Sequence, residues 1–209
     1  MLQKEAISPG VLELLKSLQA DPVLDLFHLA GGTGLALHLG HRISFDLDMF
    51  SEAGFDTNFF REYLIDRHHF NVDFSAYNTL KGSIGNIKVD FIAHPYKRVS
   101  PLIEEEKLRI YSVPDIAAMK LNAIAGSGTR SKDFVDLYFL LETFSIEQLL
   151  KFYETKYTGS NILHVVKSLN YFDDVDLSDW PVIIKERDLT WEKVKTEIDI
   201  KVKDFIKTL

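Results

Sequence analysis

The sequence contains no cysteine, so disulfides and thiolate metal sites are excluded. No apolar run approaches the roughly 20 residues that span a bilayer, which argues against a membrane protein. The N-terminus, MLQKEAISPG, lacks the basic-then-apolar order of an export signal, so the expected location is the cytoplasm. Positive charge is in short supply. Lys and Arg number 24 against 31 Asp and Glu, a net charge of −7. A protein that coats itself with nucleic acid needs many Lys/Arg–phosphate contacts, and this balance argues against that class while leaving room for a local basic cleft. Internal repeats and low-complexity tracts are also missing. What remains is an ordinary globular composition, with 209 residues of which 46% are hydrophobic. That length suits one good-sized core or two small lobes sharing an interface.

The chain changes character near residue 111. Before it, Ser8-Pro9 opens a helix whose apolar face carries Val11, Leu12, Leu14, Leu15 and Leu18. LFHLAGGTGLALHLGH reads as strand, glycine turn and short helix. RISFDLDMF alternates as a strand, with Phe45, Leu47 and Met49 on one face and Ser44, Asp46 and Asp48 on the other. TNFFREYLIDRH is helical, and FNVDFSAY, TLKGSI and IKVDFI are strands, the last two joined at Gly85-Asn86 in a hairpin. After Tyr111, five segments read as helices, the last running to Leu209, and the first three carry Ser112, Ser131 and Ser145 in cap position. FDDVDLSDWP reads as a loop between the late helices. The expected organisation is an α/β lobe over 1–111 and a helical lobe over 112–209, with a cleft shared between them.

The first lobe carries the chemistry. Gly32-Thr33 is followed after twelve residues by Asp46-Leu47-Asp48. Glycines after a strand let backbone N–H groups approach a triphosphate, the next helix N-terminus favours the anion, and Thr33 adds a hydroxyl. Carboxylates at i and i+2 of one strand point the same way, about 6.6 Å apart. That spacing suits two magnesium ions about 4 Å apart. Asp90 in IKVDFI is the candidate third carboxylate, on a strand face with Lys88 and Ile92, while Ile87, Val89 and Phe91 face the core. The plainer alternative is a simple glycine turn and a solvated acidic strand face.

In the second lobe Lys120 is the only charged residue between Ile116 and Thr129, on a helix apolar on nearly every side. A buried ammonium should meet anions, either carboxylates or a bound triphosphate; the alternative is a lysine whose amine reaches water. Arg130 and Lys132 flank a flexible glycine pair and could clamp a triphosphate. Asp133 and Asp136 lie one turn apart; a dipole-offsetting Asp133 and a surface Lys132–Asp136 pair are the structural readings, favoured for Asp136. His38, His41, His68 and His69 have no metal-ligand spacing and read as neutral surface histidines. Phe59, Phe60, Tyr138 and Phe139 read as core.

GGTGLALHLGHRISFDLDMFS resembles the first motif of AbiEii/AbiGii-type nucleotidyltransferases, with Gly32, Thr33, Arg42, Ser44, Asp46 and Asp48 at its fixed positions. Asp115 to Lys120 is similar to the family's acidic–apolar–x4–Lys motif, and Arg130-Ser131-Lys132-Asp133 matches its Arg-x-Lys-Asp motif. Lys88-Val89-Asp90 occupies the place of the third carboxylate. The matches run in the family's order over residues 29 to 141. The resemblance implies a DNA polymerase β-like α/β (α+β) lobe with a mixed sheet and a helical C-terminal lobe. It implies transfer of a nucleotidyl group from a nucleoside triphosphate to a hydroxyl, on a tRNA 3′ end or a protein. It also implies a toxin of a toxin–antitoxin or phage-defence pair, neutralised by a cognate antitoxin. Asp46, Asp48 and Asp90 would hold two Mg²⁺ ions, with Mn²⁺ as a substitute. Lys120 and Asp133 would join them in catalysis, and Gly32, Thr33, Arg42, Ser44, Lys120, Arg130 and Lys132 would bind nucleotide. The alternative function is a catalytically inactive nucleotide-binding or protein-interaction module that keeps the fold.

Overall fold

The structure, a computed structural model, describes residues 1–208. Within them the chain forms eight helices and a seven-stranded mixed sheet. Helix α1 (Pro9–Ala20) begins as the Ser8-Pro9 signal predicts, with the Ser8 hydroxyl accepting from the Val11 amide. Strand β1 (His28–Leu29) leads into α2 (Gly31–Leu39), and β2 (Leu47–Ser51), α3 (Thr57–His68), β3 (Phe70–Ala76), β4 (Thr79–Ile84) and β5 (Ile87–Ala93) follow. β6 (Ile103–Glu105) and β7 (Leu108–Ile110) close the α/β part. The sheet runs β3-β4-β5-β2-β1-β7-β6, with β2/β5 and β1/β7 parallel and the other pairs antiparallel. Beyond Tyr111 come α4 (Val113–Gly126), α5 (Ser131–Leu140), α6 (Ile146–Lys156), α7 (Ile162–Leu169) and α8 (Trp191–Ile206). The last residue of the predicted C-terminal helix, Leu209, lies outside the described residues. Among those described, no helix is long and apolar enough to cross a membrane.

Apolar side chains gather in two cores. One is built by residues of 2–110, including Leu15, Phe27, Leu47, Met49, Val89 and Phe91. The other is built by the helices after residue 111, joined by Ala30, just ahead of α2, and by Leu35 of α2. Because α2 lies between both cores, it fixes its own N-terminus against the strands that carry the acidic residues.

Four details differ from the sequence-based expectation. The β6–β7 hairpin was not predicted: its turn residues, Glu106 and Lys107, both take positive φ, a conformation usually held by Asn or Gly. β2 starts only at Leu47, so Phe45 falls outside the pleat and is 58% exposed instead of joining Leu47 and Met49 in the core. Phe59 is likewise 51% exposed, while Phe60, Tyr138 and Phe139 are buried as expected. Ser131 is the first residue of α5 rather than its cap; the carboxylate of Asp179, far along the chain, accepts from the Ser131 amide (3.1 Å) and hydroxyl (2.6 Å).

Candidate active site

β2 and β5 lie side by side and parallel, with Asp48 directly opposite Asp90 in the ladder. Adjacent strands are about 4.8 Å apart, so these two carboxylates rise from neighbouring positions on one sheet face. Asp46 stands two residues before Asp48, just ahead of the strand, and Asp46 and Asp48 line the same cleft. The Thr33 hydroxyl lies 2.8 Å from the Ser44 hydroxyl and also reaches the Asp46 carbonyl, which pins the chain ahead of the carboxylate. Thr33 thus serves the backbone of the acidic segment.

The two glycines have a different use from the one their motif suggests. Gly31 has φ +60, and a Cβ there would lie 1.8 Å from Asp48 Oδ2; a Cβ on Gly32 would lie 2.4 Å from an Arg42 guanidinium nitrogen. They make room for these two side chains as well as for a ligand. No side chain caps the N-terminus of α2, and Gly32 and Thr33 of its first turn line the cleft with Asp46 and Asp48.

Among the described residues neither Asp46 nor Asp48 has an ion-pair partner, and Asp90 has one, Lys81 on β4, at 3.3 Å. Burial raises the Asp48 carboxyl above its usual range; Lys120 and Arg130 pull it down, and Asp90 and Asp46 push it up. Burial likewise raises Asp90, against the pull of Lys81. Charge in this part of the cleft is therefore under-compensated on the negative side.

No group of three or more His, Asp or Glu side chains among the described residues is gathered tightly enough to enclose a metal ion. The reason is visible: Asp48 is folded over Gly31 and Asp90 is turned to Lys81. The donor set still fits a hard divalent cation. Its preferred ligands are carboxylate oxygens, and two of the three here are without a counter-charge.

The basic residues divide into two sets. One is a buried ionic cluster that joins the lobes. Asp136 on α5 is fully buried and takes a fork from Arg42, with Nε–Oδ1 at 2.6 Å and Nη2–Oδ2 at 3.0 Å. It also accepts from His41 Nε2 (2.8 Å) and from Lys120 Nζ (2.6 Å), and Lys120 reaches Asp133 at 2.7 Å. Burial opposes ionisation of Asp136, yet Arg42 and Lys120 hold its carboxyl well below the usual range. Burial keeps His41 below its usual value, so it is neutral and donates through Nε2, leaving Nδ1 without a partner.

This cluster decides between the two expectations for Lys120 and corrects the one for Asp136. Lys120 does meet anions, but they are two carboxylates of its own lobe, so its ammonium acts on Asp48 through its field and is closed to direct phosphate contact here. Asp136 is no surface partner of Lys132; it is the anchor of Arg42 and Lys120. Asp133 engages Lys120 and Arg130, the latter at 3.6 Å. Of the four histidines read as surface groups only His69 is exposed; His41 is fully buried, and the half-buried His38 and His68 bond the Tyr111 carbonyl and Asp21. Asp115 is remote from the carboxylates; it forms a buried pair with Lys156 at 2.9 Å and accepts from Val99 and Ser100.

The second basic set is open. Arg130 and Lys132 line the cleft with Asp46 and Asp48, and among the described residues Lys132 has no ion-pair partner. The remaining wall comes from Asp179, Trp180, Pro181 and Val182, within a segment 176–184 that overlaps the predicted loop FDDVDLSDWP (172–181). Its Asp176 amide donates to the Thr129 carbonyl (2.8 Å), its Val182 carbonyl accepts from Ile43 (2.8 Å), and its Ile184 amide donates to the His41 carbonyl (2.9 Å). The segment is thus a strap pinned both to the Arg130 turn and to the Arg42–Asp46 segment.

A mixed sheet with paired acidic strands, an uncapped helix N-terminus and a helical lobe defines a nucleotidyltransferase. Residues 65–197 match the family model described as nucleotidyl transferase AbiEii toxin, type IV toxin–antitoxin system, and the chain belongs to that family. It is 30% identical over 200 residues to the uncharacterized protein aq_aa25 of Aquifex aeolicus, covering 93% of this chain and 95% of that protein. Its fold is similar to that of MenT4, nucleotidyltransferase toxin Rv2826c of Mycobacterium tuberculosis, with a TM-score of 0.60 at 18% identity over 93% of this chain and 82% of the other. JHP933 of Helicobacter pylori is similar in fold with a TM-score of 0.54, at 18% identity over 97% and 94% of the two chains.

Proposed function

We propose that this nucleotidyltransferase moves a nucleotidyl group from a nucleoside triphosphate to an acceptor hydroxyl, and that Asp46, Asp48 and Asp90 form its metal-dependent centre. The observation that carries the reading is the in-register pairing of Asp48 with Asp90 beside an uncapped helix N-terminus. Asp46, Asp48 and Asp90 would hold Mg²⁺, which when bound neutralises triphosphate charge and makes the acceptor hydroxyl more acidic. Arg130, Lys132 and the first N–H groups of α2 would hold the phosphates in line. Asp90, beside Asp48 on β5, would accept the acceptor's proton. The acceptor oxygen bonds to the α-phosphorus as the bond to the β-phosphate breaks, and pyrophosphate leaves with the electron pair. Asp136 and Asp133 act indirectly, fixing Arg42 and Lys120 so that their field offsets the departing charge. Family membership supports a toxin held by a cognate antitoxin, and a role in phage defence is part of this proposal. The acidic balance of the chain favours an acceptor that contacts only a small basic mouth, such as a tRNA 3′ end or a protein hydroxyl.

The test is incubation of the protein with each α-labelled nucleoside triphosphate, Mg²⁺ and total RNA or protein. Label should appear on one acceptor class and vanish with chelator. Asp48→Asn should lower transfer by about a thousandfold, the scale of losing one transition-state charge stabiliser. Transfer by Asp48→Asn at the wild-type rate would remove the carboxylates from the mechanism.

A further inference from the structure

Phe45 presents a chemical puzzle. It is 58% exposed, stands next to Asp46, and among the described residues its ring has no aromatic neighbour. An apolar ring left in water beside a carboxylate contributes nothing to folding. Yet Phe45 lines the cleft that holds Asp46, Asp48, Arg130 and Lys132, and the strap supplies Trp180 and Val182 to the same cleft. Val182 is 61% exposed, and Trp180 is held edge-on to Trp191, with ring centroids 6.4 Å apart. The lining of the cleft is therefore of two kinds, ionic side chains and apolar or aromatic ones.

A ligand that matches both kinds of lining has a polyanionic part and a flat, uncharged ring. We infer that Phe45, with Trp180 and Val182 of the strap, forms the surface on which the nucleobase of the donor triphosphate stacks. This inference rests on the nucleotidyl-transfer reading above and adds the base subsite to it. Its physical basis is that every nucleobase offers a π-face, so an aromatic platform contributes to affinity whichever base is bound. The strap's placement follows from its bonds: it is fixed to the backbone of Ile43, two residues before Phe45, and through Asp179 to Ser131, between Arg130 and Lys132. One segment thereby sets the distance between the ring surface and the phosphate-facing cations.

The experiment compares binding of each nucleoside triphosphate with that of inorganic tripolyphosphate, in Mg²⁺, for wild type, Phe45→Ala and Phe45→Trp, with folding checked by circular dichroism. Phe45→Ala should weaken nucleotide binding by roughly five- to a hundredfold, the worth of one stacked base, and leave tripolyphosphate unchanged. Phe45→Trp should restore it. Unchanged nucleotide affinity in Phe45→Ala would overturn the inference, and so would an equal loss for nucleotide and tripolyphosphate, which would make Phe45 part of the phosphate site. A raised KM for the acceptor alone would assign the surface to the acceptor and also overturn it. A wild type that binds no nucleoside triphosphate would bring down the nucleotidyl-transfer reading itself, and is thereby distinguished from failure of the base subsite.

Discussion

Asp48 and Asp136 are the same residue type in one molecule, and their surroundings set them to opposite uses. Asp136 lies wholly inside the protein with its oxygens taken by Arg42, His41 and Lys120, so its charge is fixed and satisfied. Asp48 faces a cleft with like charges at Asp46 and Asp90 and no ion-pair partner among the described residues. A compensated buried charge holds architecture; an uncompensated one is available to an incoming cation. Function therefore follows from where the countercharge is missing, not from where acids are most numerous.

Breaking the compensated side should have the largest effect on folding. Asp136→Ala would leave Arg42 and Lys120 buried and short of an acceptor, the situation that costs about 3–5 kcal/mol. The expected result in denaturant titration is a loss of that order, with Asp136→Asn also harmed because a neutral amide cannot balance two cations. The depressed Asp136 carboxyl adds a pH signature. Its contribution is present above its unfolded value and is lost as pH falls through its lower folded value, so wild type should lose stability in acid and the variant should lose less.

A smaller change should separate the strap from both acidic groups. Asp179→Ala removes the acceptor for the Ser131 amide and hydroxyl at the start of α5. Losing a helix-terminal acceptor of this kind costs about 1 kcal/mol. The melting temperature should fall by about 2–4 °C, the scale for 1 kcal/mol in a chain of this size. Limited proteolysis should cut first within 176–184. An uncut strap in the variant would show that its backbone bonds to Thr129, Ile43 and His41 suffice.

The comparison also marks what the sequence made legible. Asp46, Asp48 and Asp90 stood out because strand periodicity places them on one face, and the parallel pairing of β2 with β5 puts two of them opposite each other. Lys120 stood out as a lone charge on an apolar helix. The same test, applied to SKDFVDLYFLL, marks Asp136 as an acid among Phe134, Val135, Leu137 and Tyr138 that had to be buried and paired. Its partners could not be named, since Arg42 lies 94 residues away in the chain. The strap was illegible for a related reason: residues 171–189 have no periodicity, and their positions come from single bonds to distant backbone. Phe45 misled because alternation was extended past the point where pairing with β5 stops.

The smallest effect is also the sharpest probe of the uncompensated side. Burial and the neighbouring Asp90 and Asp46 raise the folded Asp48 carboxyl above its unfolded value near 3.8. Between those two values the folded state holds more protons than the unfolded one, so stability falls as pH rises across that window and stays lower above it. Asp48→Asn removes the charge while nearly keeping the shape. In the absence of divalent metal it should therefore melt slightly higher than wild type at neutral pH, by less than Asp179→Ala lowers it. The advantage should shrink to nothing well below pH 3.8, where the wild-type carboxyl is protonated in both states. Adding Mg²⁺ should raise the wild-type melting temperature and leave the variant nearly unmoved, because a bound cation stabilises only the state that offers it a site. A variant less stable than wild type at neutral pH would mean that Asp48 is structurally compensated after all, and the contrast with Asp136 would collapse.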